Sequence, residues 1–289
     1  MPRGRRLIFR NAIYHLMARG NRKLPIFEDA RDRQHFVAIL DEASARYRVV
    51  VHAECRMGNH YHAVVGTPEA NVSAFMGYLN GQYAQYSNRR HARTGHLFGD
   101  RYKPVLVDTE LYLRVVISYV ENNPVAAGLV NSPTDYAWSS CRATVGLDPA
   151  PSYLSLDWLD LAFPAASRQE SQRKYSEYLV ASTLEEAEGL LEHPAVGSKP
   201  FVKDVREHIG RLLYLDRVPR SYRALHRPSL EELFPRGLNK RDRASAMLRA
   251  HIVHGYRLSE IARCLAIHPN TVSRTVSILR RRVVMRDCP

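Results

Sequence analysis

The run Ala12 to Ala18 is apolar apart from one histidine, which suits a strand, and Arg19-Gly20-Asn21 closes it with turn residues. Between Ala30 and Tyr47 the apolar residues Phe36, Val37, Ile39, Leu40 and Ala43 recur at helical spacing among charges. Val49 to Arg56 predicts a second strand, Gly58-Asn59 a turn, and His60 to Val65 its hairpin partner. Val72 to Arg90 then reads as a helix, with Phe75, Met76, Leu79, Tyr83 and Tyr86 on one stripe. A basic loop leads to a fourth strand at Tyr102 to Val107. Asp108-Thr109 offers an N-cap for a third helix over Glu110 to Asn122.

Strand, helix, strand, strand, helix, strand is the split order of a ferredoxin-like sandwich, so the pattern predicts an α+β domain with one antiparallel sheet covered by helices. The expected extent is 1–146, ending before the proline-rich stretch Asp148-Pro149-Ala150-Pro151. Residues 147–239 read as a helical connecting region of no legible role, Arg168 to Ser182 being its clearest helix. In 240–289 the stretches Arg241 to His254, Leu258 to Leu265 and Pro269 to Arg282 are helical with short breaks, a spacing that fits a helix-turn-helix module. Ile261, Ala262, Leu265, Val272 and Val276 are its expected core.

Charge narrows the choice of partner. Lys and Arg number 42 against 29 Asp and Glu, a net charge of +13 with a pI near 9.8, which favours polyanions. No apolar run approaches the ~18 residues of a spanning helix and the amino terminus lacks a signal-peptide core, so a cytoplasmic location without membrane binding is expected. Cys55, Cys141, Cys264 and Cys288 form no Cys-x-x-Cys pair, which removes zinc-knuckle and redox motifs. Neither phosphate-loop nor dinucleotide-binding glycine patterns occur, so any phosphoryl chemistry runs without nucleotide hydrolysis.

Two sets of residues carry candidate chemistry. His60 and His62 are two apart on a strand, which puts both imidazoles on one face and Tyr61 on the other. Such a pair can share a metal; it also fits two partly exposed sheet residues. Tyr119 and Asn123 are four apart and therefore neighbours on one helix face, at the flank of the stripe Leu113, Val116, Ile117 and Val120. By themselves they also fit a boundary aromatic and a residue ending the helix ahead of Pro124.

The segments Met57-Gly58-Asn59-His60-Tyr61-His62, Gly95-His96-Leu97-Phe98-Gly99-Asp100-Arg101-Tyr102 and Tyr119-Val120-Glu121-Asn122-Asn123-Pro124, the last continuing through Val130, together resemble the single-tyrosine HUH transposases. Within that group they resemble the REP-associated tyrosine transposases. The likeness extends through Tyr136-Ala137-Trp138-Ser139-Ser140 and spans roughly residues 8 to 145. It implies a ferredoxin-like nuclease in which His60, His62 and Asn123 hold one divalent cation beside the nucleophile Tyr119. One departure is that Glu121-Asn122 stands where members of the family commonly carry a histidine.

The implied chemistry is attack by Tyr119 on a phosphodiester, giving a 5′-phosphotyrosine and a free 3′-hydroxyl. A tyrosine with an ordinary pKa near 10 needs its anion stabilised and the phosphate polarised, which a Lewis-acidic cation supplies. Two imidazoles and an amide carry no charge, so weak binding of Mg2+ or Mn2+ is expected, completed by a DNA phosphate oxygen. A zinc deaminase would need a His-x-Glu and a Pro-Cys-x-x-Cys that are missing here. The competing class is a DNA-binding regulator on a catalytically inactive domain, and the joint presence of the four site residues favours the enzyme.

DNA is thus the expected partner, single-stranded or hairpin at the nuclease and duplex at the carboxyl-terminal module, with homodimerisation left open. In the first domain Arg3, Arg5, Arg6, Arg89, Arg90, Arg93, Arg101 and Lys103 are candidates to line a strand, with Tyr83, Tyr86 and Tyr102 for stacking. The last segment resembles helix-turn-helix modules of the replication-initiator and Trp-repressor type. Pro269 would open its recognition helix, Asn270, Thr271, Ser273 and Arg274 would face bases, and Arg280, Arg281 and Arg282 would meet phosphates.

Overall fold

The computed structural model describes residues 8–108, 112–182, 191, 195–210, 227–235 and 237–284, without the side chains of 206, 208–210 and 280–284. Arg3, Arg5 and Arg6, and the side chains of Arg280, Arg281 and Arg282, lie outside the described part.

Strand β1 (Ala12–Arg19) is followed by helix α1 (Ala30–Tyr47), the hairpin β2 (Val50–Arg56) and β3 (His60–Thr67), helix α2 (Val72–Arg90), strand β4 (Lys103–Val107) and helix α3 (Leu113–Ala126). Their sheet order is β2-β3-β1-β4, with every one of these pairs antiparallel. Local chemistry sets the ends. The Asp29 carboxylate accepts the Asp32 amide to cap α1, and Arg48 in left-handed conformation stops it. Gly20 leaves β1 where a Cβ would lie 2.1 Å from the Leu24 carbonyl oxygen, so only glycine fits that turn.

Alternation divides the sheet residues between two faces. Tyr61 packs against Phe36 of α1, with ring centroids 4.6 Å apart, and its hydroxyl donates to Asn80 of α2 at 2.6 Å. Phe27, Phe36, Tyr61 and Tyr83 are all buried in this layer. Burial of a side chain of the size of Phe36 contributes roughly 1.5–3 kcal/mol. Helix α3 lies against β2 and β3 on the opposite face, beside His15 and His62.

Two expectations are revised. The sheet is mixed, not wholly antiparallel: the short strand β5 (Ala195–Val196) pairs parallel with β4. It satisfies an otherwise open sheet edge, continued by the bond from Asp108 N–H to the Val196 carbonyl at 2.8 Å. Helix α3 runs past Asn122 and carries Pro124 inside it, so Asn123 does not end the helix. Residues Ile8–Ser198 form one compact unit. The segment after 146 adds α5 (Asp157–Ala162) and α6 (Arg168–Ala181), following the short α4 (Cys141–Thr144). Helix α6 is bound to α3, because the Tyr175 hydroxyl donates to Glu121 and the Asn122 amide to the Leu179 carbonyl.

The second unit begins at Lys199 with helix α7 (Lys199–Gly210). Later come α8 (Leu230–Leu233), α9 (Lys240–Ile252), α10 (Leu258–Cys264) and α11 (Pro269–Val284). Met247, Ala250, Tyr256, Ile261, Ala262, Val272 and Val276 form its core, and Leu265 packs against it half-buried. Among the described residues no helix is long and apolar enough to cross a membrane.

Candidate active site and nucleic-acid surface

The register of β1 against β3 pairs Met17 with His62 and Arg19 with His60, which places the two histidines beside alternate residues of the central strand. Their rings are 5.0 Å apart, and Tyr61 points to the opposite layer as alternation requires. Across from them α3 presents Tyr119, whose ring stands perpendicular to that of His62 at 5.9 Å. Tyr119 and Asn123 are half-buried while Val116, Ile117 and Val120 are buried, the division expected for the flank of an apolar stripe. The Asn123 side-chain nitrogen donates to the Tyr119 carbonyl at 3.0 Å, so its oxygen is the atom left to coordinate. His60 and His62 therefore share the α3-facing side of the sheet with Tyr119, and Asn123 follows one turn further along α3.

The sequence reading missed His15. Its Nε2 lies 2.8 Å from His62 Nδ1, and Tyr119 stands edge-on to its ring at 6.0 Å. Its only sequence signal was a polar residue inside an apolar strand, two positions before Met17.

Burial keeps all three imidazoles neutral. His15 is lowered to about 3 by desolvation and then by Lys103, and His60 to about 4 by desolvation and then by Arg19. Desolvation pushes His62 well below the usual histidine range, with His15 and His60 adding to it. A neutral imidazole is the form that binds a cation.

The donor set fits a divalent ion. His62 Nε2 is buried with no hydrogen-bond partner, an atom that costs about 1–3 kcal/mol to strand unless something is bound there. His60 engages Asn59 through Nδ1 at 2.6 Å, which leaves Nε2 as its coordinating nitrogen. Among the described residues no group of three His, Cys, Asp or Glu is placed to hold a metal, so a third protein ligand beside the two imidazoles would have to come from another residue type, such as the Asn123 amide.

Beside the histidines a groove of about 440 Å³ is lined by Met17, Arg19, Arg22, Lys23, Arg101 and Lys103 among others, with Asp100 its one carboxylate. Arg19, Arg22 and Lys23 escaped the sequence reading because a turn, not a charge run, gathers them. Arg101 and Lys103 line the groove as expected, Lys103 also donating to the Leu191 carbonyl.

Other expected contacts are not available. Tyr83 is buried with its hydroxyl on the Ile26 carbonyl, and Tyr102 is buried beside Ser73. Tyr86 is stacked on His35 at 3.6 Å. Arg90 pairs with Asp29 and Asp32, and Arg93 with Glu28, so both serve an ion network between α1 and α2.

Glu121 faces away from the histidines. Its carboxylate is fully buried and accepts from Ser140 at 2.8 Å, Thr144 at 2.7 Å and Tyr175 at 2.8 Å. Desolvation outweighs these donors and raises its pKa to about 7. The departure at Glu121-Asn122 is thus a fastening of α3, the helix that carries Tyr119, to α4 and α6.

In the second unit Asn270, Thr271 and Arg274 are exposed over the first turns of α11 and Ser273 is half-buried.

A sequence model of the family described as "Transposase IS200 like" matches residues 8–123. No curated protein matches the chain. Among solved structures, a REP-associated tyrosine transposase bound to a REP hairpin is 16% identical, with a TM-score of 0.44, covering 55% of this chain and 93% of that one. A candidate transposase from Deinococcus radiodurans R1 is 21% identical, with a TM-score of 0.30, covering 42% of this chain and 97% of that one. At those scores neither likeness bears on the site. The family match spans β1 through Asn123 and takes in both histidines and Tyr119, and residues 8–123 are accordingly an IS200-like transposase domain.

Proposed function

We propose that this protein cuts and rejoins single-stranded or hairpin DNA, with Tyr119 as nucleophile, in transposition or in the processing of repeated elements. The observation that supports the reading is the packing of the Tyr119 ring of α3 against His62, beside His60, on one face of the sheet within the segment that matches the IS200-like family. The resemblance to REP-associated transposases makes a hairpin the preferred substrate.

The Tyr119 oxygen attacks the scissile phosphorus as its proton passes to solvent, the bond to the 3′-oxygen breaks and that oxygen takes up a proton to leave as a 3′-hydroxyl, and the DNA 5′ end stays esterified to the enzyme. A 3′-hydroxyl attacking that ester reverses the exchange, so rejoining needs no nucleotide hydrolysis. His60, His62 and Asn123 would hold a Mg2+ or Mn2+ ion, which when bound supplies Lewis-acid polarisation of the phosphate. The cationic groove at Arg19, Arg22, Lys23, Arg101 and Lys103 draws in the backbone next to the reacting phosphate.

The carboxyl-terminal unit supplies duplex recognition. Asn270, Thr271, Ser273 and Arg274 at the start of α11 read base edges, with Arg280, Arg281 and Arg282 further along the chain for phosphates.

The test is Tyr119→Phe incubated with labelled hairpin DNA and Mn2+. It should bind DNA as the parent does while losing cleavage and the denaturant-resistant adduct. Full cleavage by that variant would end the proposal.

A further inference from the structure

We infer that His15 is a positioning residue for His62: it accepts the Nδ1 proton of His62, and so turns His62 Nε2 into a lone pair available to a cation. The inference rests on the proposed ligand role of His62.

The geometry leaves few proton arrangements. His15 Nε2 and His62 Nδ1 are 2.8 Å apart, the two rings are within 1° of coplanar, and both side chains are buried. One proton sits between the two nitrogens. If His15 carries it, His62 must hold its own proton on Nε2, and that nitrogen cannot ligate. If His62 carries it on Nδ1, His62 Nε2 is a bare lone pair and the proton of His15 sits on Nδ1. The two outer nitrogens, His15 Nδ1 and His62 Nε2, are the ones that lack hydrogen-bond partners. A cation at His62 Nε2 therefore selects the second arrangement, and His15 changes tautomer without touching the ion.

Ligating histidines ordinarily hand their second N–H to a carboxylate or carbonyl, and loss of that partner costs about 10- to 100-fold in metal affinity. Here a neutral imidazole fills that place, which keeps the site uncharged. His15 also borders the Tyr119 ring at 6.0 Å, His62 at 5.9 Å, so the nucleophile's ring rests against both members of the pair.

The experiment uses the full chain labelled with 15N-histidine, titrated with Mg2+ and read by nitrogen chemical shifts, with Mn2+ affinity measured by electron paramagnetic resonance. With Mg2+ bound, both His62 and His15 should be protonated on Nδ1. His15→Phe keeps an aromatic ring beside Tyr119 but no acceptor, and should weaken Mn2+ binding about 10- to 100-fold. His15→Gln restores an acceptor and should recover most of that loss. A His15 that keeps its proton on Nε2 when His62 is ligated, or a Phe variant with parental Mn2+ affinity, overturns the positioning role and leaves the ligand reading standing. No response of His60 and His62 to either ion overturns both. Should His15→Phe fail to fold, the tautomer of His15 in the Mg2+-bound parent decides the matter.

Discussion

Replacing Glu121 by Gln tests how α3, the helix that carries Tyr119, is held. The carboxyl group is fully buried on α3, two residues beyond Tyr119, and its pKa rises from 4.5 to about 7 because burial disfavours the charge more than three hydroxyl donors stabilise it. Below pH 4.5 both the folded and the unfolded chain hold the proton, and the group adds no pH dependence. Between 4.5 and about 7 the folded protein keeps the proton and the unfolded chain releases it, so stability falls as pH rises. At about 1.4 kcal/mol per pH unit, that interval amounts to about 3 kcal/mol. Glutamine carries no proton to lose. Urea denaturation of parent and Glu121→Gln across pH 4 to 8, with other titrating groups cancelling between them, should show the parent losing about 3 kcal/mol relative to the variant as pH climbs to 7. A constant difference, or one of opposite sign, would refute the claim that the buried carboxyl is predominantly protonated near pH 6.

Further outcomes follow from the site. Arg19→Ala with Arg22→Ala should lower the slope of log affinity for single-stranded DNA against log salt by roughly 1.4, measured by fluorescence anisotropy, while the fold remains intact. His62→Ala should abolish metal-dependent cleavage, whereas Asn123→Ala should be milder and partly rescued by excess Mn2+, because water replaces one neutral ligand; equal losses without rescue would contradict the ligand assignment. Removal of residues 240–289 should spare cleavage of a short hairpin at saturating concentration yet lower the duplex salt slope by roughly 2.7, reflecting the three arginines proposed to meet phosphates, Arg280, Arg281 and Arg282.

Much of the site was legible because it rests on short-range periodicity. Period two along β3 separates His60 and His62 from Tyr61, and the helical repeat puts Tyr119 and Asn123 together at the edge of the α3 stripe. What depends on contacts between distant segments was not legible. His15 meets His62 only through the β1–β3 register, 47 residues away in the chain. Nothing local in Ala195-Val196 announces a parallel partner for β4, and the hydroxyls that hold Glu121 come from three positions up to 54 residues away. Tyr83 and Tyr102 looked like stacking platforms because tyrosine serves both core and surface; packing against Phe27 and Phe36 for the first, and burial beside Ser73 for the second, decided otherwise. Proline at 124 breaks a helix by local rule, but α3 continues to Ala126 with Pro124 itself buried.

Covalent attachment of DNA to Tyr119 is the step that decides the proposed mechanism. Incubation of the full chain with hairpin DNA and Mn2+, followed by nuclease trimming, proteolysis and mass spectrometry, reads it directly. The expected product is a nucleotide linked through its 5′-phosphate to the peptide containing Tyr119, and none in chelator; an adduct on another residue, or cleavage with no adduct at all, would refute the proposed mechanism.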